Sequence, residues 1–164
     1  MATLFLQFIV ILIGICVVVI MLVEPRFEGR NIGADMVTIY FKDPFLAYLY
    51  LSSIPVFIGL YKIFKIFEYI RKERVFSLMT IKSLQSIKYS FTIFAVMIIL
   101  FDAYLAIFMR EKDDPTGAIV LGIIIVLISL TIAVTSDVFM NILNKLFKHI
   151  DKSLLDSNNV NKRI

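Results

Sequence analysis

Tryptophan is absent, and cysteine and histidine occur once each, as Cys16 and His149. One thiol builds no disulfide framework. One thiol with one imidazole builds no structural zinc site, and no paired metal-ligand spacing is present. Cys16 lies inside an apolar run, where a small buried hydrophobe is the expected role. Charge is scarce too: Asp, Glu, Lys and Arg make up 18% of the chain, against about 25% in an ordinary soluble domain. No nucleophile elbow, phosphate-binding loop, HExxH pair or dinucleotide fingerprint occurs. These absences point away from an enzyme, a metal and a cofactor.

Hydrophobic residues take up 60% of the 164 positions, and mean hydropathy is +0.90. The length suits one domain. A soluble chain of this size buries only about 70% of its surface on folding, too little to hide so much apolar side chain. The same composition excludes disorder. The net charge of +4 and pI of about 9.2 would fit nucleic acid. However, the basic residues flank the apolar runs, which points to a membrane surface and to no direct nucleic-acid binding.

Four runs are long enough to cross a bilayer, which takes about 20 apolar residues. They cover residues 4–23, 45–67, 89–109 and 117–137. In lipid such runs are helices, because each backbone group must be satisfied within its own segment. The first lacks a charged n-region and a small-residue cleavage site, so a retained span is expected rather than a signal peptide. Assigning Lys and Arg to alternate sides gives twelve on one side and five on the other. The positive-inside rule then places both termini and the middle loop of this multi-pass chain in the cytoplasm. Glu24, Glu28, Asp35, Asp43, Glu111, Asp113 and Asp114 fall in the outer loops.

The first outer loop opens on Glu24-Pro25 and closes on Asp43-Pro44, a turn signal. Between them Val37-Thr38-Ile39-Tyr40-Phe41 is expected on the membrane interface or the bundle mouth. The second, Glu111-Lys112-Asp113-Asp114-Pro115, is short, so the third and fourth spans are expected to be antiparallel neighbours. On the cytoplasmic side, helical periodicity runs from Lys62 past Lys72. A break is expected at Phe76-Ser77, with Ser77 as N-cap. Beyond it, residues 78–88 are expected as an amphipathic helix, with Leu78, Ile81, Leu84 and Ile87 on one face and Lys82, Gln85 and Lys88 on the other. Residues 138–155 repeat the pattern. Phe139, Ile142, Leu143, Leu146, Phe147, Ile150 and Leu154 form a stripe, opposite Asn141, Asn144, Lys145, Lys148, Asp151 and Lys152. Residues 157–164 are expected as a frayed polar tail. The fold class that follows is all-α: a four-helix transmembrane bundle, one domain over 1–156, with amphipathic cytoplasmic extensions.

Those basic, aromatic extensions have two readings. They anchor the bundle to anionic lipid headgroups, or they form a platform for a cytosolic partner. Arg71, Lys72, Arg74, Lys82, Lys145, Lys148 and Lys152 are the candidate contacts for either.

Four spans, a basic middle loop with Phe76-Ser77 followed by Ile81-Lys82-Ser83-Leu84-Gln85-Ser86-Ile87, and a basic amphipathic tail resemble a bacterial family of small integral membrane proteins, domain of unknown function 2975. The segment from Phe76 to Ile87 resembles that family's Phe-Ser, then Lys-x-Leu-x-x-Ile pattern. The resemblance implies a bacterial cytoplasmic membrane location. Family genes often sit beside helix-turn-helix regulators of the Xre type, which implies a membrane partner for a transcription factor. It brings no catalytic residues.

Inside the spans the polar candidates are Asp102, Ser52, Ser53 and Asp137. Asp102 is about eight residues from the outer end of its span, or ~12 Å deep. It is expected to be protonated, paired or facing water. It is either an ion, proton or ligand site, or a structural acid bonded to Tyr104, to a hydroxyl across the bundle, or to Arg110. Asp137 is expected to pair with Lys62 or Lys65. Ser52, Ser53 and Pro55 either open the backbone onto a polar cavity or produce a kink with interhelical hydrogen bonds. His149 is expected on the solvated surface. Three functions follow: docking of a cytosolic regulator, an oligomeric ligand-binding or ion-conducting protein built around Asp102, or an immunity or stress protein that acts by occupying the membrane. One chain of four spans would need a homo-oligomer for the second.

Overall fold

A computed structural model describes residues 2–27, 44–73, 76–108 and 116–161, with side chains at all of these except 2, 24–27, 44–46, 151 and 154–161. The regular structure in them is four helices: α1 (Ala2–Phe27), α2 (Pro44–Arg71), α3 (Leu78–Phe108) and α4 (Thr116–Asn161). They have 26, 28, 31 and 46 residues. At 1.5 Å per residue they are about 39, 42, 46 and 69 Å long, against ~30 Å of hydrocarbon. All four are long and apolar enough to cross a membrane. Residues 37–41 and 111–115 lie outside the described residues.

α3 is the central helix. α4 and α2 pack on it from two sides, and α1 packs chiefly on α2. The α3–α4 pair is antiparallel and keeps one register along its length. Asp102 lies against Gly122, Phe91 clusters with Ala133, and Lys88 meets Asp137. The buried positions explain why. On α4, Gly122, Ser129, Ser136 and Leu143 are buried at steps of seven, with Ala133 between them. On α3, Thr80, Leu84, Ile87, Phe91, Ile98 and Leu105 are buried at multiples of the same three-and-four spacing. That spacing is the seam of left-handed helix packing, and small residues along it let two backbones approach in lipid.

The α2–α3 turn forms as the Phe76-Ser77 signal predicts. The Thr80 amide donates to Ser77 Oγ at 3.2 Å, which makes Ser77 the N-cap of α3. At the end of α2, Glu73 takes φ 56°, the left-handed conformation that closes many helices.

Four details depart from expectation. Leu84 and Ile87 are buried, but Leu78 is exposed, and Thr80 and Ser83 turn inward in its place. A strict step of three drifts off a face whose true period is 3.6. The stripe on α4 splits because packing on α3 covers only one edge of it. Leu143 is buried, whereas Phe139, Ile142, Leu146 and Ile150 are 56, 49, 41 and 51% exposed. α4 also continues as helix past Ser157 to Asn161; that stretch holds no glycine or proline to end it. Cys16 is exposed rather than buried, because α1 has only one packed side. The side chain of Leu154 lies outside the described residues.

Candidate functional site

Two places bring sequence candidates together. We call the end of the bundle that carries the α2–α3 turn and residues 138–161 the basic end, and the other the far end.

At the far end, Asp102 sits on α3 six residues before Phe108, about 9 Å along the helix. Its carboxyl occupies the space over Gly122 where a side chain would begin. Oδ1 is buried and has no hydrogen-bond partner among the described residues. Tyr104 is stacked on Phe108 instead of bonding the acid, and Arg110 lies outside the described residues. An ionised carboxylate inside a span is costly, up to about 2.5–3.5 kcal/mol at the helix centre on the gentler insertion scale, so an orphaned acid oxygen here is unusual chemistry.

Near the basic end, Lys88 Nζ donates to Asp137 Oδ1 at 2.8 Å, joining α3 to α4. This corrects the expected pairing with Lys62 or Lys65. The part of α2 nearest α4 is apolar, with Ile63, Ile66 and Phe67 lining a groove of about 250 Å³ beside Phe139 of α4. Lys65 instead reaches Glu68 at 2.9 Å, and both lysines lie near the ring of Tyr61. Each partner of the Lys88–Asp137 pair keeps about a third of its side chain exposed (36 and 35%), so the pair contributes on the order of 1 kcal/mol or less. Asp137→Lys is expected to lower the thermal midpoint of the detergent-solubilised protein, and adding Lys88→Asp to recover most of the loss. A double variant no better than the single one would show that the pair carries no energy.

Ser52 is buried between helices, yet its hydroxyl donates to the Leu49 carbonyl within α2 at 2.8 Å. Ser53 does likewise to Tyr50 at 2.7 Å. Neither makes the interhelical bond expected of it, and α2 runs unbroken through Pro55. The polar link from α2 to α3 comes instead from Tyr48, whose hydroxyl donates to the Met97 carbonyl at 2.6 Å.

The basic candidates are exposed at one end. Arg71, Lys72 and Lys82 surround the α2–α3 turn, with Lys72 bonded to Glu68 at 2.7 Å. Lys145, Lys148 and Lys152 lie exposed along α4 with His149, and Asn141, Asn144, Lys145 and Lys148 line one hollow. Arg74 lies outside the described residues.

Residues 34–150 match the family described as "Protein of unknown function (DUF2975)". The chain belongs to that family. The match takes in both the Asp102–Gly122 contact and the Lys88–Asp137 pair, and begins after α1. An uncharacterized membrane protein, YoaS, of Bacillus subtilis (strain 168) is 35% identical over 152 residues, covering 90% of each chain. No solved structure matches. Family and fold agree on a membrane protein with four membrane-spanning helices.

The seam residues do not stand out in the sequence. Gly122, Ser129 and Ser136 look incidental one at a time, and their steps of seven were the available signal. Gln7 is equally inconspicuous in the sequence, yet it is buried and donates to the Phe64 carbonyl at 3.4 Å, tying α1 to α2.

Proposed function

We propose that this protein is a non-enzymatic anchor in the bacterial cytoplasmic membrane, with both termini cytoplasmic, whose basic end docks an acidic cytosolic partner such as a helix-turn-helix regulator. The observation that carries this reading is the length of α4. The α3–α4 register sets Ser77, just before α3 begins, level with about Lys148. The final 13 residues of α4, 149–161, therefore outrun α3 by ~20 Å.

Leading up to and into this projecting stretch, Phe139, Ile142, Leu146 and Ile150 are exposed. With the fourth span ending at about Asp137, Ile150 is 13 residues beyond the edge of the hydrocarbon, or ~20 Å, whereas a headgroup layer is only about 5–8 Å thick. Lipid does not cover an apolar edge held that far out, and a protein partner does. Lys145, Lys148 and Lys152 beside it favour a partner of negative charge and speed its encounter. Exposed Phe76, Leu78 and Met79 at the α2–α3 turn extend the surface. A homo-oligomer matched through this edge would set like charges side by side, since copies in one membrane run parallel.

In native cells, with a tag in the loop after α3, crosslinking and gentle solubilisation are expected to recover a cytosolic protein. Lys145, Lys148 and Lys152 together changed to Glu, in a stably inserted protein, should abolish recovery, and Asp102→Asn should leave it intact. Equal recovery from the triple variant would overturn the docking reading.

A further inference from the structure

Docking at the basic end makes no use of Asp102, which lies roughly 30 Å farther along α3 than Thr80. Its carboxyl is fitted over Gly122, where any β-carbon would collide with it, and its buried Oδ1 has no donor among the described residues. The elements around it hold no described charge to pair with it. On α4, the acid on the same register is Asp137, fifteen residues beyond Gly122 and bound to Lys88. On α2, the facing titratable group is Tyr48, whose hydroxyl is given to Met97 and whose ring stacks on Phe101. On α3 itself, Tyr104 is exposed and stacked on Phe108.

A metal ion would need further ligands, and no group of three His, Cys, Asp or Glu exists among the described residues. The ligand that fits one isolated carboxyl in hydrocarbon is a proton. It removes the charge, and it turns one acceptor oxygen into a donor.

We propose that Asp102, seated against Gly122, is an intramembrane proton-binding site that holds the neutral acid in the α3–α4 contact. One proton binds one carboxylate oxygen, and no other bond changes. On losing it, the carboxylate leaves the glycine notch for the far-end surface, so acidity on that side is coupled to how closely α3 and α4 pack there. Gly122 is the positioning residue.

The test uses the full chain in lipid nanodiscs at neutral pH. Carbodiimides react with protonated carboxyls. Dicyclohexylcarbodiimide, which partitions into lipid, is expected to label Asp102 several-fold more than a charged, water-soluble carbodiimide, read by peptide mass spectrometry. Infrared spectra should show a protonated-carboxyl band that Asp102→Asn, an isosteric change, removes. Gly122→Ala should lower labelling by dicyclohexylcarbodiimide several-fold and weaken the infrared band. Wild-type labelling by the water-soluble reagent alone would overturn the proposal, as would a spectrum in which wild type and Asp102→Asn do not differ. Labelling of Gly122→Ala identical to wild type would remove the notch from it. If neither reagent reaches Asp102, the infrared band alone decides.

Discussion

Replacing Gly122 with leucine is expected to part α3 from α4 over their far half. A β-carbon at this position falls on the Asp102 carboxyl. Alanine asks only that carboxyl to swing aside, whereas leucine adds a branched end that must enter the backbone of α3. Overpacking of this kind costs about 1–3 kcal/mol, a drop of several degrees in the thermal midpoint for a chain of this size. The register makes the damage spread, because Gly122 begins the run of small residues that continues at Ser129 and Ala133. Gly117 is the matched control. Nothing lies within 4 Å of the β-carbon it would carry, so Gly117→Leu should leave the midpoint unchanged. Equal loss from both variants would mean that leucine harms α4 itself, not its contact with α3. The measurement is thermal loss of the monodisperse detergent-solubilised species, followed by size-exclusion chromatography.

This contrast shows what could be read from the sequence. Apolar run length alone reveals four spans, since a bilayer leaves a chain few choices. The Ser77 cap is legible because it depends on a few local residues. Partner choice was harder. Asp137 finds Lys88 through the α3–α4 register, and that register is written in Gly122, Ser129, Ser136 and Leu143, spaced too widely to stand out beside the denser apolar pattern around them. Lys62 and Lys65 looked equally available because depth can be counted along a chain, but facing cannot be until the neighbours are known. Asp102 was conspicuous as an acid inside a span. Its setting was not, because the sequence does not say that a glycine twenty residues later stands opposite. The split of the α4 stripe has the same origin. Seven apolar positions at helical spacing read as one face, while packing on α3 uses one edge and leaves the other exposed.

Phe91→Ala should be the most harmful single truncation in the molecule. Phe91 is 6% exposed and joins three helices. Its ring clusters with Ile87 and Ala133, with Ile63, Ile66 and Ile132 packed around them. On α2 it meets Gly59, where a β-carbon would come within 2.6 Å of the ring. In soluble cores Phe→Ala costs about 3–5 kcal/mol. In lipid the transfer contribution largely vanishes, because the surroundings are as apolar as the core, and lost packing remains. The low end, about 3 kcal/mol, is therefore expected. Ile99→Ala is the reference, since Ile99 is half exposed on the same helix and its truncation should be close to neutral. The partner glycine supplies a sharper test. Gly59→Leu alone drives a side chain into the Phe91 ring and should destabilise. Combined with Phe91→Ala, the leucine has a cavity to enter, so the double variant should be more stable than the sum of the two losses predicts, as contacting residues do. Strict additivity would mean that Phe91 and Gly59 do not share a space. The α2–α3 contact would then have to be held elsewhere, with the Tyr48–Met97 hydrogen bond the next place to look.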